Sequence, residues 1–144
     1  MLYFAYGSNM NKKQMKERCP SSKFIKRAYV EGYEFVYDGY SQSRKGAVAN
    51  IIKSENEKVW GCLFEINEDN LSALDCYEGY FSRVYDKKTI MVKDDEGKSH
   101  SVIVYFRTGK EVGVPHEDYQ CDVIQGAKDC GLPEDYIKNV LNAK

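Results

Sequence analysis

The stretch Leu2-Tyr3-Phe4-Ala5-Tyr6-Gly7-Ser8-Asn9 decides how this chain begins to fold. Residues 2–6 predict a short buried strand, and the three residues that follow predict the turn that ends it. Asn11 stands where its side chain can cap a short helix, which we expect to run to Arg18 and to stop before Pro20. The stretch therefore predicts a strand, a tight turn and a helix in immediate succession.

Further strands are predicted on both sides of a helix in the middle of the chain. β-Branched and aromatic residues recur through 23–38, which predicts one or two strands, and a polar loop follows over 39–46. We expect two more strands at 47–52 and 59–66, joined around 54–57, and another two at 85–92 and 99–106, joined by a polar hairpin loop at 93–97. Strands in such hairpin succession indicate a mostly antiparallel sheet.

The predicted helices have clear start and stop signals. Asn67 offers an N-cap for a helix with an apolar stripe, and Gly79 is positioned to end it. A later helix ends at Gly131, and Pro133 opens the last one. The apolar face of the later helix consists of Tyr119, Val123, Ala127 and Cys130. The order of elements predicts an α+β fold, in which helices flank a curved or barrel-like, mostly antiparallel sheet.

Length and composition indicate one globular domain, spanning residues 1–144. Hydrophobic residues make up 42% of the chain and charged residues 30%, with a formal net charge of −1. That balance argues against a nucleic-acid binder, which normally carries a surplus of basic residues. The sequence has no apolar run long enough to span a bilayer and no signal-peptide pattern at its start. We therefore expect a cytoplasmic protein with no membrane partner.

The cysteines and histidines predict neither a disulfide framework nor a metal site. The five cysteines are Cys19, Cys62, Cys76, Cys121 and Cys130. Their odd number and scattered spacing are typical of reduced thiols. No pair has the Cys-x-x-Cys spacing of a zinc site, and His100 and His116 are isolated from each other. We expect a protein that uses no metal and no cofactor.

The turn at Tyr6-Gly7-Ser8-Asn9 is the first candidate site. A glycine there permits unusual backbone angles, so that successive N–H groups of Gly7, Ser8 and Asn9 can turn inward and bind an anion. The N-terminus of the following helix would add to the positive field. The same pattern also occurs in plain turns between a strand and a helix, and these residues alone do not distinguish the two cases.

Glu78, in the segment Leu74-Asp75-Cys76-Tyr77-Glu78-Gly79, is the second candidate. It falls in the last turn of the predicted helix, where the negative end of the helix dipole disfavours a carboxylate and raises its pKa. Apolar surroundings from Tyr77, Tyr80 and Phe81 would act in the same direction. A raised carboxyl pKa suits an acid–base catalyst near neutral pH. The alternative is an exposed glutamate beside the glycine that ends its helix.

Taken together, the two motifs resemble the γ-glutamylcyclotransferase-like family, a superfamily of small AIG-type proteins. The resemblance rests on blocks that follow the family's order along nearly the whole chain. These blocks are Tyr3-Phe4-Ala5-Tyr6-Gly7-Ser8-Asn9-Met10, Val59-Trp60-Gly61, Leu74-Asp75 with Glu78-Gly79 and Tyr85, Gly126-Ala127, and Gly131-Leu132-Pro133 with Tyr136. The combination favours a functional site over the plain turn and the exposed glutamate.

The resemblance implies a small β-barrel with flanking helices and a pocket at one end. It also implies an enzyme without metal or cofactor, which converts a small γ-glutamyl amino acid into 5-oxoproline and the free amino acid. By position, the Tyr6–Asn9 loop would bind the γ-glutamyl part and Glu78 would be the general acid–base. Tyr119, ahead of the last long helix, resembles a pocket tyrosine of the family, and Tyr85 and Tyr105 are further substrate-binding candidates.

Other interpretations remain open from the sequence. The leaving group could be an amine or part of a γ-glutamylated natural product, because no motif defines what binds beyond the scissile bond. A Cys–His mechanism needs a thiol activated by a base, but neither histidine lies in a recognisable motif. A non-catalytic ligand-binding or interaction module is a further alternative, and the presence of Glu78 argues against it. The chain could act as a monomer or as a homodimer.

Overall fold

The computed structural model describes residues 1–80 and 84–142 and contains a closed barrel of five strands. In chain order the strands are β1 (Leu2–Ala5), β2 (Lys23–Ser41), β3 (Gly46–Glu65), β4 (Asp86–Lys93) and β5 (Ser99–Phe106). Around the barrel they follow the order β1-β3-β2-β4-β5. Neighbouring strands are antiparallel except β1 and β5, which are parallel where the barrel closes. The predicted α+β class with a mostly antiparallel barrel is confirmed.

Helices flank this barrel. They are α1 (Lys12–Arg18), α2 (Glu68–Tyr77), α3 (Glu117–Asp129) and the single turn α4 (Glu134–Tyr136), which continues as a wider π-type turn over Ile137–Leu141. A 3-10 turn, Ser8–Met10, connects β1 to α1. Among the helices of the described ranges, none is long and apolar enough to cross a bilayer.

The barrel is filled by aromatic and aliphatic side chains. The largest of them are almost fully buried, among them Phe4, Phe35, Tyr37, Ile51 and Leu63. Burying one such side chain contributes about 1.5–3 kcal/mol to folding. A closed sheet has no free edge, so the strands pair with one another all the way around. The apolar side chains of the first three quarters of the sequence therefore pack together as the interior of the barrel.

The segment predicted as two strands, 47–52 and 59–66, is one continuous strand, so this prediction is wrong. β3 pairs with β2 on both sides of a bulge, in which residues 54–57 lie opposite Gly32 alone. Because β2 pairs with β3 before and after the polar stretch, the extra residues form a bulge and the chain does not reverse its direction. Both strands also extend into the predicted loop at 39–46, which shortens to a tight turn.

The helix ends form as the sequence predicts. The Asn11 side chain accepts a hydrogen bond from the backbone N–H of Gln14 across 3.1 Å and so caps α1. Asn67 and Asn70 form a reciprocal capping box at the start of α2. At the other end of α2, Gly79 has a φ of +65°, the left-handed conformation in which glycine ends helices at little cost.

Helix α3 packs directly against the turn Ser8–Met10, and Gly126 makes this approach possible. A Cβ atom at residue 126 would lie 2.7 Å from the Cβ of Met10 and would overlap the backbone of Met10 and Asn11. Real Cβ atoms essentially never come this close to another heavy atom. Because no side chain intervenes, α3 supports the turn between β1 and α1 from outside the barrel.

Cys62 and Cys130 form a disulfide between β3 and the end of α3, which corrects the expectation of five reduced thiols. The two residues are 68 positions apart in the sequence, and their Cα atoms lie 6.2 Å apart. Spacing along the chain does not reveal this pair, because only tertiary packing brings α3 over β3. Cys19, Cys76 and Cys121 are free. Reduced thiols are typical of cytoplasmic proteins, so the disulfide does not support the expected cytoplasmic location.

Candidate active site

A cavity of about 640 Å³ opens beside the ends of the parallel strands β1 and β5. Its walls contain every residue that the sequence analysis singled out for the site. These are Tyr6, Gly7, Ser8, Asn9, Glu78, Tyr85, Tyr105 and Tyr119. They come from the turn after β1, the end of α2, the start of β4, the end of β5 and the start of α3. Only the closed barrel brings these five segments to one cavity.

The turn Ser8–Met10 leaves two backbone N–H groups without a partner inside the turn. Its hydrogen bonds run from Met10 N to Gly7 O across 3.0 Å and from Asn11 N to Ser8 O across 2.9 Å, which leaves the N–H groups of Ser8 and Asn9. Both residues line the cavity. N–H groups at the start of a helical turn are positively polarised, so they suit a carboxylate or a developing oxyanion.

Gly7 lies where a side chain would be crowded. Its φ of −114° and ψ of −140° are not the left-handed conformation that favours glycine. A Cβ at this position would lie 3.0 Å from the Cβ of Ala49 and 3.6 Å from the hydroxyl oxygen of Tyr119. Glycine therefore allows the turn to approach β3 and α3 closely.

Asn9 is buried, and its neighbours hold its side-chain amide in one orientation. Its Oδ1 accepts hydrogen bonds from Gln14 Nε2 across 2.9 Å and from Arg18 Nη1 across 3.1 Å. Its Nδ2 then faces the other way and donates to the Tyr3 hydroxyl across 3.0 Å and to Glu78 Oε1 across 3.3 Å. Helix α1, which carries Gln14 and Arg18, thus directs the Asn9 amide group toward Glu78.

Glu78 is the residue that follows α2, and it lines the cavity. Burial raises the pKa of Glu78 from its ordinary value of 4.5 to about 7, against the opposing effects of Arg18, Arg107 and Arg44. The direction of this pKa shift is the one expected from the sequence, with removal from water as its main cause. Near neutral pH both the protonated and the ionised form of Glu78 are populated, as an acid–base group requires.

The aromatic residues near Glu78 do not form the apolar cover that the sequence suggested. Tyr77 is 56% exposed, and the Arg18 guanidinium lies 4.5 Å from the centre of its ring. The Tyr80 ring lies 4.4 Å below the ammonium group of Lys87. Phe81 lies outside the described residues. Tyr77 and Tyr80 therefore carry cations on their faces, which is a common use of aromatic rings at protein surfaces.

Tyr85 and Tyr119 are anchored on one residue of β3. The Tyr85 hydroxyl donates to the Ala49 carbonyl across 2.6 Å, and the Tyr119 hydroxyl accepts from the Ala49 N–H across 2.9 Å. Burial raises the pKa of Tyr119 to about 12, and it raises the pKa of Tyr85 well above the usual value. Both hydroxyls are therefore neutral near pH 7 and shape the wall. Tyr119 lies in the first turn of α3, as its helical spacing predicted, and not ahead of that helix, where the family resemblance had placed it.

Tyr6 and Tyr105 connect the turn region to helix α2. The Tyr6 hydroxyl donates to the Tyr105 carbonyl across 2.7 Å, and the Tyr105 hydroxyl donates to Asp75 Oδ1 across 2.6 Å. Lys87 Nζ lies 2.8 Å from Asp75 Oδ2. Asp75 lies one turn before Glu78, at the end of α2. These contacts therefore hold the end of α2, and with it Glu78, against the barrel.

Three arginines in the cavity wall were missed by the sequence analysis, namely Arg18, Arg44 and Arg107. Arg44 Nη2 donates to Gln14 Oε1 across 2.8 Å. Arg107 Nη2 donates to the Asp38 carbonyl oxygen across 2.7 Å and also to the Asp38 carboxylate. An arginine in a polar turn, at a helix end or after a strand is ordinary, so no local signal marks it. Folding alone reveals that all three surround Glu78 with positive charge.

The site combines a titrating carboxyl with N–H donors and guanidinium groups. Within residues 1–80 and 84–142, no group of three or more His, Cys, Asp or Glu side chains is arranged to hold a metal ion. The carboxyl group can move a proton, and the donors can hold an anionic substrate or stabilise an oxyanion. The geometry therefore suits an acid–base reaction on an anionic substrate.

Known proteins match this chain in sequence and in structure over most of its length. Residues 58–140 match the model of the AIG2-like family. The chain is 34% identical to a γ-glutamylcyclotransferase of Mus musculus over 139 residues, which cover 94% of this chain and 74% of that protein. It is 34% identical to a γ-glutamylcyclotransferase of Bos taurus over 143 residues, which cover 96% of this chain and 76% of that protein. A solved structure of a γ-glutamyl cyclotransferase matches with a TM-score of 0.94 at 33% identity, over 99% of this chain and 86% of that one. The chain therefore belongs to the AIG2-like family and is a member of the γ-glutamylcyclotransferase family of enzymes.

Proposed function

We propose that this enzyme cyclises a γ-glutamyl amino acid to 5-oxoproline and releases the free amino acid, with Glu78 as the general acid–base. One observation carries the proposal: a carboxyl group with a pKa of about 7 lines the cavity and accepts a hydrogen bond from the Asn9 side chain. The relatives named γ-glutamylcyclotransferase support the reaction class.

The reaction requires a group that can both accept and donate protons. The α-amine of the substrate has a pKa above roughly 8, because the carboxylate on the same carbon favours the ammonium form, so near neutral pH most of it is an ammonium ion that cannot attack. Ionised Glu78 accepts a proton from this ammonium, and the freed amine attacks the γ-carbonyl carbon and closes a five-membered ring. As the original amide bond breaks, Glu78 donates a proton to the leaving nitrogen. The attacking nitrogen gives up its second proton to Glu78 in the same way, and Glu78 passes this proton to the released amine. Overall the attacking nitrogen loses two protons and the leaving nitrogen gains two, so Glu78 ends ionised, as it began.

The other cavity residues are proposed to bind the substrate in a folded conformation. We assign the N–H groups of Ser8 and Asn9 to the γ-glutamyl part, where they can stabilise its carboxylate or the oxyanion that develops on the carbonyl. Gly7 allows this turn to approach the substrate pocket. The pocket walls are assigned to Tyr6, Tyr85, Tyr105 and Tyr119. Holding the amine against the carbonyl carbon lowers the entropic part of the barrier to ring closure.

The test is incubation of the purified protein with γ-glutamyl-alanine, followed by mass spectrometry of the products. We expect equal amounts of 5-oxoproline and alanine, without added ATP and in the presence of a chelator. α-Glutamyl-alanine is the matched control, because it has the same atoms with the peptide bond at the other carboxyl group, and it should not be converted. Free glutamate in place of 5-oxoproline would indicate hydrolysis and would refute the cyclisation.

A further inference from the structure

The three cavity arginines are not explained by the acid–base role of Glu78. Each of them lowers the pKa of Glu78 and so works against the shift to about 7 that burial produces. Arg44 and Arg107 already have carboxylate partners in Asp122 and Asp38. The question is therefore which of their N–H groups is left without an acceptor.

Arg107 is the arginine whose surroundings point most directly to a ligand. Its side chain is only 9% exposed, and its guanidinium carbon lies 4.7 Å from the centre of the Tyr85 ring. Its Nη2 is held by the Asp38 carbonyl and carboxylate. Its Nη1 is buried and has no hydrogen-bond partner among the described residues. A buried cationic N–H group without an acceptor is costly, so an acceptor from a bound substrate would satisfy it.

The anchor of Arg107 is itself held firmly. Besides Arg107, the Asp38 carboxylate accepts hydrogen bonds from Asn50 Nδ2 across 3.1 Å and from the backbone N–H of Lys110 across 3.0 Å. Asp38 is buried. Arg107 is thus fixed on one side by Asp38 and on its face by Tyr85, which leaves little freedom for its remaining nitrogen.

Arg44 extends the same positive region along the aromatic wall. Its guanidinium carbon lies 5.2 Å from the centre of the Tyr119 ring, and its Nη1 lies 3.4 Å from Asp122. Tyr119 and Tyr85 both bind Ala49, so Arg44 and Arg107 stack on the two members of one tyrosine pair. The arginines therefore belong to the wall that these tyrosines form, and Gln14 connects Arg44 to the Ser8–Met10 turn.

We propose that Arg107, supported by Arg44, is a specificity-determining residue that binds a carboxylate on the leaving group. This inference rests on the proposed function. A γ-glutamyl amino acid carries two carboxylates and one ammonium, whereas a γ-glutamyl amine carries one of each. In this proposal the Ser8–Met10 turn binds the carboxylate of the γ-glutamyl part, which leaves the carboxylate of the leaving group for the arginines. The enzyme then prefers amino acids over simple amines as leaving groups.

The test compares γ-glutamyl-alanine with γ-glutamyl-ethylamide, which differ only by the carboxylate of the leaving group. For each enzyme we take the ratio of kcat/KM on the two substrates, measured on one preparation, because partial unfolding lowers both values equally. Wild type should favour γ-glutamyl-alanine. Arg107→Gln should lower the ratio by about ten- to a hundredfold, as expected when a charge-assisted hydrogen bond is lost.

Two further variants keep this test decisive. Arg107→Lys keeps the charge beside Asp38 but loses the forked guanidinium, so it should lower the ratio by a smaller factor. If Arg107→Gln does not fold, the ratio of Arg107→Lys decides the outcome.

Arg27→Gln is the matched control, because Arg27 pairs with Asp95 at 3.0 Å and is not among the residues that line this cavity. Its ratio should equal that of wild type.

The possible failures are distinguishable. A ratio that is unchanged in the Arg107 variants, or wild type that converts both substrates equally well, would overturn the role of Arg107 and leave the cyclisation intact. If wild type formed 5-oxoproline from neither substrate, the proposed function itself would be refuted, and the specificity proposal with it.

Discussion

The side-chain amide of Asn9 donates a hydrogen bond to Oε1 of Glu78 across 3.3 Å, joining two residues 69 positions apart in the sequence. One belongs to the turn after β1 and the other ends helix α2. The contact connects the two motifs that the sequence suggested separately. It also explains why the orientation of the Asn9 amide, set by Gln14 and Arg18, matters for Glu78.

Replacing the carboxyl group of Glu78 should nearly abolish turnover. Glu78→Gln keeps the shape of the side chain and can still accept a hydrogen bond from Asn9, but it has no proton to exchange. We expect a fall in kcat on the order of a hundred- to ten-thousandfold, with a smaller change in KM and an unaltered circular dichroism spectrum. Wild-type kinetics in Glu78→Gln would remove Glu78 from the mechanism.

The rate should rise with pH and then level off. Glu78 must be ionised to accept a proton from the substrate, so kcat/KM should increase as pH rises through about 7. At higher pH Glu78 is fully ionised and the substrate amine is free to attack, so kcat/KM should reach a plateau. The measurement is kcat/KM from pH 5.5 to 9.5 in buffers of constant ionic strength, and a profile that is flat below pH 7.5 would contradict the raised pKa of Glu78.

The free energy of unfolding should also follow the titration of Glu78, but it should decrease as pH rises, whereas the rate increases. Folding raises the pKa of Glu78 from 4.5 to about 7, so between these values the native state binds more protons than the unfolded state. The contribution of Glu78 to stability is therefore complete below pH 4.5 and is lost as pH rises through 7. Relative to wild type, Glu78→Gln should gain stability between pH 4 and pH 8, by on the order of 3 kcal/mol at most. Urea denaturation at both pH values measures this difference, and a difference that does not change with pH would contradict the shift.

A methyl group at Gly126 should damage the turn that lines the cavity. In Gly126→Ala the new Cβ would overlap the backbone of Met10 and Asn11, so α3 and the turn must separate. We expect a loss of about 1–3 kcal/mol in the free energy of unfolding and a higher KM, because the N–H groups of the turn are displaced. Gly109→Ala is the control, since a Cβ there lies 3.4 Å from Ile52, an ordinary contact. Equal stability and kinetics of the two variants would show that α3 does not hold the turn.

The disulfide should contribute to stability and not to chemistry. Cys62 and Cys130 close a loop with a sequence separation of 68, and loss of such a link costs about 2–5 kcal/mol. Cys130→Ala should therefore lower the thermal midpoint while kcat at 25 °C stays within a few-fold of wild type. Cys121→Ala removes a free, exposed thiol and should change neither quantity. A folded Cys130→Ala enzyme without activity would revive a mechanism that uses a thiol.

Local patterns were enough for part of the site. The turn Tyr6–Asn9, the capped start of α2 and the glycine after Glu78 are short-range signals, and each forms at the position that the sequence predicts. The prediction failed at 47–66, where the polar residues resemble a hairpin loop. In the structure β2 pairs with β3 before and after these polar residues, so they form a bulge within one strand. The local pattern does not reveal this pairing, because the partner residues lie elsewhere in the chain.

The sequence by itself determined the elements whose energetics are local: runs of strand-forming residues, helix caps, the turn after β1 and a glutamate beside a helix-ending glycine. Tertiary structure alone decided which distant groups meet. Arg107 is anchored by Asp38, Asp75 by Tyr105, and Cys62 by Cys130. The physical reason is that burial, ladder pairing and charge proximity depend on how the barrel closes. Closure converts residues far apart in the chain into neighbours, and it sets the pKa of Glu78 through burial and the arginines around it.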